Sequence, residues 1–222
     1  DEVLAVKEAF RKKHLHPERL MKSLFSNQDY VKWKVDADKL MSYLFELAVI
    51  MQNHDTDIEL YSLFTKEECY DMWLLNNANW YIDYGPSPLT KGKMPYLEAN
   101  LLENILNTAD TCIVKKENSV TLRFGHESCV LPLACLLELG DCGYQTTDLN
   151  TLAEVWRNYK IFPMACNIQF VFYRKKRSDD ILVKVLLNEQ EMKLPVESTL
   201  APYYHWKDVE TYYRNKLAAF RK

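Results

Sequence analysis

Glycine first appears at position 85 of this 222-residue chain and occurs only five times in all, so the opening third has almost no residue that turns a backbone cheaply. Over that stretch tyrosine, tryptophan and leucine recur at helical spacing, which predicts helix after helix. Thr65 and Glu68 form a capping-box pattern ahead of Tyr70, Trp73, Leu74 and Asn77, placing a helix start near Thr65. Gly85, Pro86 and Pro88 are expected to stop it. After the loop GPSPLTKGKMP, residues Leu97, Leu101, Leu102, Ile105 and Ala109 line one face of a further helix that ends near Cys112.

The pattern changes at Ser119. The run VTLRF reads as a short buried strand, followed by Gly125-His126-Glu127 and an apolar helical run to Leu139. Pro132 falls about four to five residues into that helix, where its missing N–H is expected to cost little because first-turn donors have no helical partner. Asp148 is a candidate N-cap for a second helix that buries Leu152, Val155, Trp156 and Tyr159. Ile168 to Tyr173 and Ile181 to Leu187 are rich in strand-forming residues, and the charged stretch 174–180 between them predicts an antiparallel hairpin. A last helix, from about Trp206 to Phe220, carries Trp206, Val209, Tyr213 and Leu217 at helical intervals. The chain contains no internal repeat and no low-complexity segment.

Charge and cysteine usage narrow the function classes. Twenty-eight basic against 31 acidic residues give a net charge of −3 with no basic block, which is no footprint for nucleic acid. No apolar run approaches the roughly 20 residues needed to cross a bilayer. The start Asp1-Glu2-Val3 is not a signal peptide, and the chain is expected to begin within a longer polypeptide. Six cysteines form no CxxC pair and have no histidines at metal-ligand spacing, so neither a zinc site nor any other cofactor is expected. Cys129 and Cys135 lie in an apolar stretch where a buried free thiol is the cheaper reading.

One junction carries chemistry. A histidine and a carboxylate where a strand ends and a helix begins suit phosphate, because helix-start amides and the helix dipole favour an anion. Protonated His126 could donate a charge-assisted hydrogen bond to a phosphoryl oxygen, and Glu127 could protonate a departing alcohol oxygen. The plainer reading is a turn histidine and a glutamate that favours the dipole. Arg123 lies three residues upstream, where it could touch the same anion or form a structural salt bridge. Lys91 and Lys93 could line a pocket for a polyanion, or be solvated loop lysines. Arg174, Lys175, Lys176 and Arg177 read as a charged hairpin tip.

The stretch LRFGHESCVLPLACLLEL resembles the second signature of the histidine acid phosphatases, a strand, then Gly-His with an acidic residue, then a helix. LYSLFTKEECYDMWLLNNANWYIDYGPSPLT resembles the helical insert of bacterial members and of the multiple inositol-polyphosphate phosphatases. WRNYKIFPMACNIQFVFYR and KVLLNEQEMKLP resemble their sheet return and closing hairpin, so the likeness covers most of residues 57 to 195.

This resemblance implies an α/β histidine phosphatase-like fold with a large helical insert, incomplete because the N-terminal strands are absent. Residues 1–112 would form the mainly helical insert region and residues 113–222 the C-terminal part of the α/β domain. It implies that His126 clamps phosphate and that the proton donor is Glu127, with Arg123, Lys91 and Lys93 as candidate substrate contacts and no metal. Glu127 departs from the pattern: short-form relatives carry aspartate after the histidine, the inositol-polyphosphate branch alanine then glutamate, and here Ser128 follows Glu127. The family nucleophile lies in an RHGxRxP motif, and no RHG occurs in this sequence. The resemblance therefore implies a parent that hydrolyses phosphorylated small molecules, inositol polyphosphates above all, through a phosphohistidine, in the periplasm or outside the cell. This chain alone would be inactive, and its exposed sheet edges would favour homo-oligomers. The alternative is a non-catalytic phosphate-binding or interaction module that has lost the nucleophile.

Overall fold

The computed structural model describes residues 2–116 and 118–221. These divide into two compact units, Asp1–Asn79 and Trp80–Lys222. The first is helical: α1 (Glu2–His14), α2 (Glu18–Leu24), α3 (Gln28–Lys34), α4 (Ala37–Ile50) and the start of α5 (Lys66–Asp83). Short polar residues set the starts. Asn27 accepts from the Tyr30 amide at 3.0 Å and Asp36 from the Lys39 amide at 3.1 Å, each satisfying a donor that the helix leaves orphaned. Leu20, Met21, Met41, Ala48, Phe64 and Met72 form the core of this unit.

The capping box at α5 is present as its spacing predicts. The Glu68 amide donates to Thr65 Oγ1 at 3.2 Å, and the Thr65 amide donates to Glu68 Oε2 at 2.9 Å. Arg19 Nε also donates to Glu68 Oε1 at 2.7 Å. Burial works to raise the Glu68 carboxyl, but Arg19 and the Thr65 amide outweigh it and hold the group below its ordinary range. At the other end, Gly85 closes α5 by donating to the Trp80 and Tyr81 carbonyls. A Cβ at Gly85 would lie 2.6 Å from the Tyr81 oxygen, so no other residue fits there without a shift.

The second unit contains α6 (Ala99–Lys115), α7 (Glu127–Leu136), α8 (Leu152–Val155), α9 (Asn158–Ile161) and α10 (Trp206–Phe220), with a small antiparallel sheet. Strand β1 (Ile168–Arg174) pairs with β2 (Ile181–Leu187) along its whole length, from Ile168 opposite Leu187 to Arg174 opposite Ile181. The far edge of β2 is shared by β3 (Gln190–Glu191) and β4 (Tyr204–His205). Asn188 and Glu189 join β2 to β3 with φ of 51° and 62°, the left-handed pair that a two-residue hairpin turn needs. Ile181, Val183, Val185 and Leu187 alternate inward and are buried, each contributing about 1.5–3 kcal/mol by leaving water. Helix α10 packs on this face, with Trp206, Val209, Tyr213 and Leu217 buried as the periodicity predicts.

Several expectations are corrected. Val120, Leu122 and Phe124 are 84%, 71% and 93% exposed, and 118–126 pairs with no strand, so VTLRF is not a buried strand here. A lone strand has no ladder to complete its amides and no layer to cover its apolar row. On α6 the buried residues are Leu102, Leu106 and Ala109, while Leu97 precedes the helix and is exposed. Pro132 is the sixth residue of α7, past the partnerless first turn, so it costs the Ser128 carbonyl a ladder donor. Asp148 caps no helix; it accepts from the Asn150 amide at 2.9 Å, and Thr151 precedes α8. Val155 and Tyr159 are exposed, while Ala153, Trp156, Asn158 and Ile161 are buried. All six cysteines are free thiols, Cys135 and Cys142 buried and the other four half-buried.

Three outcomes follow from these contacts. Thr65→Ala should lower stability to denaturant by about 1 kcal/mol. Because the folded Glu68 carboxyl is depressed, its stabilisation is present above its ordinary value of 4.5 and lost as pH falls through the lower folded value; Glu68→Ala should therefore show a shallower acid loss in urea titrations between neutral pH and pH 3. Tyr213→Phe should cost about 1–3 kcal/mol in the same measurement, since it strands the buried Leu137 carbonyl that Tyr213 Oη serves at 2.8 Å.

Candidate active site

Helix α7 is anchored at one end and open at the other. Its buried residues run without a break from Leu131 to Leu136, whereas Glu127 at its start is exposed. The C-terminal end is closed by a Schellman arrangement: the Leu139 amide donates to the Ala134 carbonyl at 3.1 Å, and the Glu138 amide to Cys135 at 3.1 Å. Glu138 takes the left-handed position, φ 53°, where glycine is commonest. Helix α10 serves carbonyls that the cap leaves over. Lys216 Nζ donates to the Leu136 carbonyl at 2.7 Å and pairs with Glu138 at 2.9 Å, and Tyr212 Oη donates to Glu138 at 2.7 Å. Burial lowers the Lys216 ammonium, while Glu138 opposes that shift. Burial and Glu138 together push the Tyr212 phenol up to about 12.

The open end presents the candidate chemistry. His126 occupies the N-cap with extended backbone, φ −109° and ψ 168°, and its imidazole makes no capping bond. Its carbonyl accepts from the Cys129 amide at 2.9 Å and the Val130 amide at 3.2 Å. The imidazole is exposed, and Glu127 follows in the first turn. A helix start without a side-chain cap offers amide donors and the positive end of the dipole to an anion. His126 and Glu127 thus stand side by side at the helix start.

The other candidates are placed differently. Arg123 donates through Nη2 to Asn104 Oδ1 at 2.7 Å and Thr108 Oγ1 at 2.8 Å on α6; both partners are neutral, so its charge stays uncompensated by them. Lys91 and Lys93 are exposed on a loop folded around buried Ser87, whose carbonyl accepts from the Thr90 hydroxyl and the Gly92 amide, each at 3.0 Å. Among the described residues no hydrogen bond or ion pair joins either lysine to His126 or Glu127. Arg177 has φ 63° in the loop between β1 and β2, consistent with a charged hairpin tip. No group of three His, Cys, Asp or Glu side chains among the described residues could hold a metal ion, and none of their helices is long and apolar enough to cross a membrane.

Two neighbours of the helix start were not legible in the sequence. The 94–98 turn packs along α7, and burial raises the Glu98 carboxyl of that turn while the Cys129 side chain works to lower it. Cys166 lies close enough to Glu127 for the carboxylate charge to reinforce burial in raising its thiol. The 118–126 segment leading into His126 should exchange its amide hydrogens within seconds, while β2 stays protected far longer. Hydrogen exchange read by mass spectrometry checks this; slow exchange at Val120 to Phe124 would show a ladder that the structure lacks.

No curated protein matches the chain at a significant level. Among solved structures, it is similar to the multiple inositol polyphosphate phosphatase of Bifidobacterium longum. With the inositol hexasulfate complex of that protein it shares 26% identity at a TM-score of 0.64, covering 79% of this chain and 38% of the other. With the phosphate complex the figures are 25% and 0.67, covering 82% and 40%. This chain thus matches about two fifths of the length of those chains, 38% and 40%. The family model of the histidine phosphatase superfamily, branch 2, matches residues 4–188, and that span contains nearly all of the helical first unit, the His126-Glu127 helix start and the β1–β2 hairpin. The chain belongs to the histidine phosphatase superfamily, branch 2.

Proposed function

We propose that this chain is the C-terminal portion of a phosphomonoesterase that hydrolyses inositol polyphosphates through a phosphohistidine supplied by residues outside it. The observation that carries the reading is the exposed His126-Glu127 pair at the uncapped start of α7, in a chain that belongs to the histidine phosphatases. His126 donates to a phosphoryl oxygen. Glu127 protonates the leaving alcohol oxygen. Arg123, Lys91 and Lys93 add positive charge for a polyanionic substrate. The substrate class is supported by the similarity to the protein of Bifidobacterium longum, solved with inositol hexasulfate and with phosphate.

Residues 1–112 then supply the insert region of the parent and 113–222 the C-terminal part of its α/β domain. The sequence contains no RHG, so the 222-residue chain alone forms no phosphohistidine by this route and is inactive. The exposed row Val120, Leu122 and Phe124 is where a strand from the rest of the parent pairs; in the isolated chain the same row and the free edge of β1 favour self-association. The parent acts in the periplasm or outside the cell, as the family resemblance implies.

Phosphate release from phytate at acidic pH tests the reading in the full-length protein, its Glu127→Gln and His126→Ala variants, and the 222-residue chain. The expected result is a loss of roughly a hundredfold or more in each variant and no turnover by the chain. Equal rates in Glu127→Gln and parent would remove Glu127 from the mechanism, and turnover by the chain would sink the two-part site. A full-length protein without an RHGxRxP motif and without turnover would make the chain a non-catalytic anion-binding module.

A further inference from the structure

Among the described residues, the hydrogen bonds that tie segment 118–125 to the rest of its unit are those of Arg123. Val120, Leu122 and Phe124 are exposed, while Arg123 between them turns to α6. Its Nη2 donates to Asn104 Oδ1 at 2.7 Å and to Thr108 Oγ1 at 2.8 Å, two acceptors one helical turn apart on the same stripe of the helix. The Thr108 hydroxyl donates its own hydrogen to the Asn104 carbonyl at 2.7 Å, so towards the guanidinium its oxygen can only accept. The helix under this stripe is held on its other sides. Leu102, Leu106 and Ala109 are buried, and from α10 Arg214 donates to Asn107 and Asp110.

This dock holds the guanidinium without silencing it. Both hydrogens of Nη2 are used, but those of Nε and Nη1 have no protein partner among the described residues. Both acceptors are neutral, whereas a carboxylate in either place would hold the group as well and cancel its charge. Three residues of chain reach at most about 11 Å, so Arg123 stands no further from His126 than about the screening length of 8–10 Å at ordinary salt. With His126 on the reacting phosphoryl group, a charge held apart from it meets the further phosphates of a polyanion. A substrate with a single phosphate offers that charge nothing.

We infer that Asn104 and Thr108 are positioning residues for substrate selectivity: they hold Arg123 by one nitrogen, through neutral acceptors, so that its charge favours substrates carrying several phosphates over those carrying one. The inference deepens the phosphatase reading and rests on it for the substrate, but not for the dock. A side chain that merely supported the fold would affect both kinds of substrate alike.

The dock is tested by NMR in the 222-residue chain. Removing both acceptors, Asn104→Ala with Thr108→Ala, should move the backbone amide signals of Arg123 and Phe124, while Thr108→Ser, which keeps the hydroxyl, leaves them near their original positions. Selectivity is tested in the full-length protein by comparing KM for phytate with KM for phenyl phosphate. At low ionic strength Arg123→Gln should raise the ratio of the two about fivefold, and the effect should fade near 1 M salt, where the screening length is about 3 Å. Removing both acceptors should raise the same ratio about threefold in the wild-type background and not at all in the Arg123→Gln background, because the acceptors act through Arg123. Equal losses for the two substrates overturn the inference. So does a rise in the ratio on acceptor removal when Arg123 is already gone, and so do unmoved Arg123 and Phe124 signals. Should the variant lacking both acceptors fail to fold, Asn104→Ala alone, at an exposed position, carries both comparisons. A full-length protein that releases phosphate from neither substrate defeats the phosphatase reading alone. Calorimetry with inositol hexasulfate then decides selectivity: binding weakened about fivefold by Arg123→Gln and less by acceptor removal supports it, and equal binding overturns it.

Discussion

The second unit depends on how the carbonyl end of α7 is satisfied. A helix buried from Leu131 to Leu136 leaves its last carbonyls in a region without water, and each unpaired one would cost a sizeable part of the net stability of a domain. Two devices meet that demand. The Schellman arrangement uses the Glu138 and Leu139 amides, and α10 brings Tyr213 and Lys216 to the Leu137 and Leu136 carbonyls. Because α10 also covers the inner face of β2, one helix ties the sheet to the element that carries His126.

That arrangement separates two jobs along one helix. The buried half supplies rigidity and the exposed start carries the proposed chemistry, since uncapped amides and a dipole end attract an anion only where an anion can reach them. The cost is that the first turn borrows little order from the core. The 94–98 turn packs along the same helix. The stacking of Tyr96 on Phe220, with centroids 3.9 Å apart and planes 9° from parallel, fastens the same turn to the end of α10. One helix thus braces α7 directly at its carbonyl end and, through this turn, a second time.

Much of the secondary structure was legible in the sequence because its causes are local. Thr65 and Glu68 bond each other across one turn of helix, so three residues of spacing suffice to place the start of α5. The β1–β2 hairpin and α10 were legible for the same reason, since alternation in β2 and the intervals of Trp206, Val209, Tyr213 and Leu217 record which side faces the core. The Gly125-His126-Glu127 junction was legible as a chemical motif, and the family it resembles is the family to which the chain belongs.

What the sequence could not decide is whatever depends on a distant partner. VTLRF has the alternation and residue types of a strand, yet a strand exists only where another strand accepts its amides, and none among the described residues does. Asp148 has the chemistry of a helix cap, but its oxygen bonds the Asn150 amide two residues on, a competition that short polar side chains decide by local geometry. Arg123 could face an anion or a scaffold, and packing of the loop against α6 turned it to Asn104 and Thr108. Tyr96 and Phe220, which stack with centroids 3.9 Å apart, lie far apart in the chain and in no recognisable spacing. Periodicity and capping act within a few residues and are written in the sequence; pairing and the meeting of side chains across loops are settled only when the elements pack.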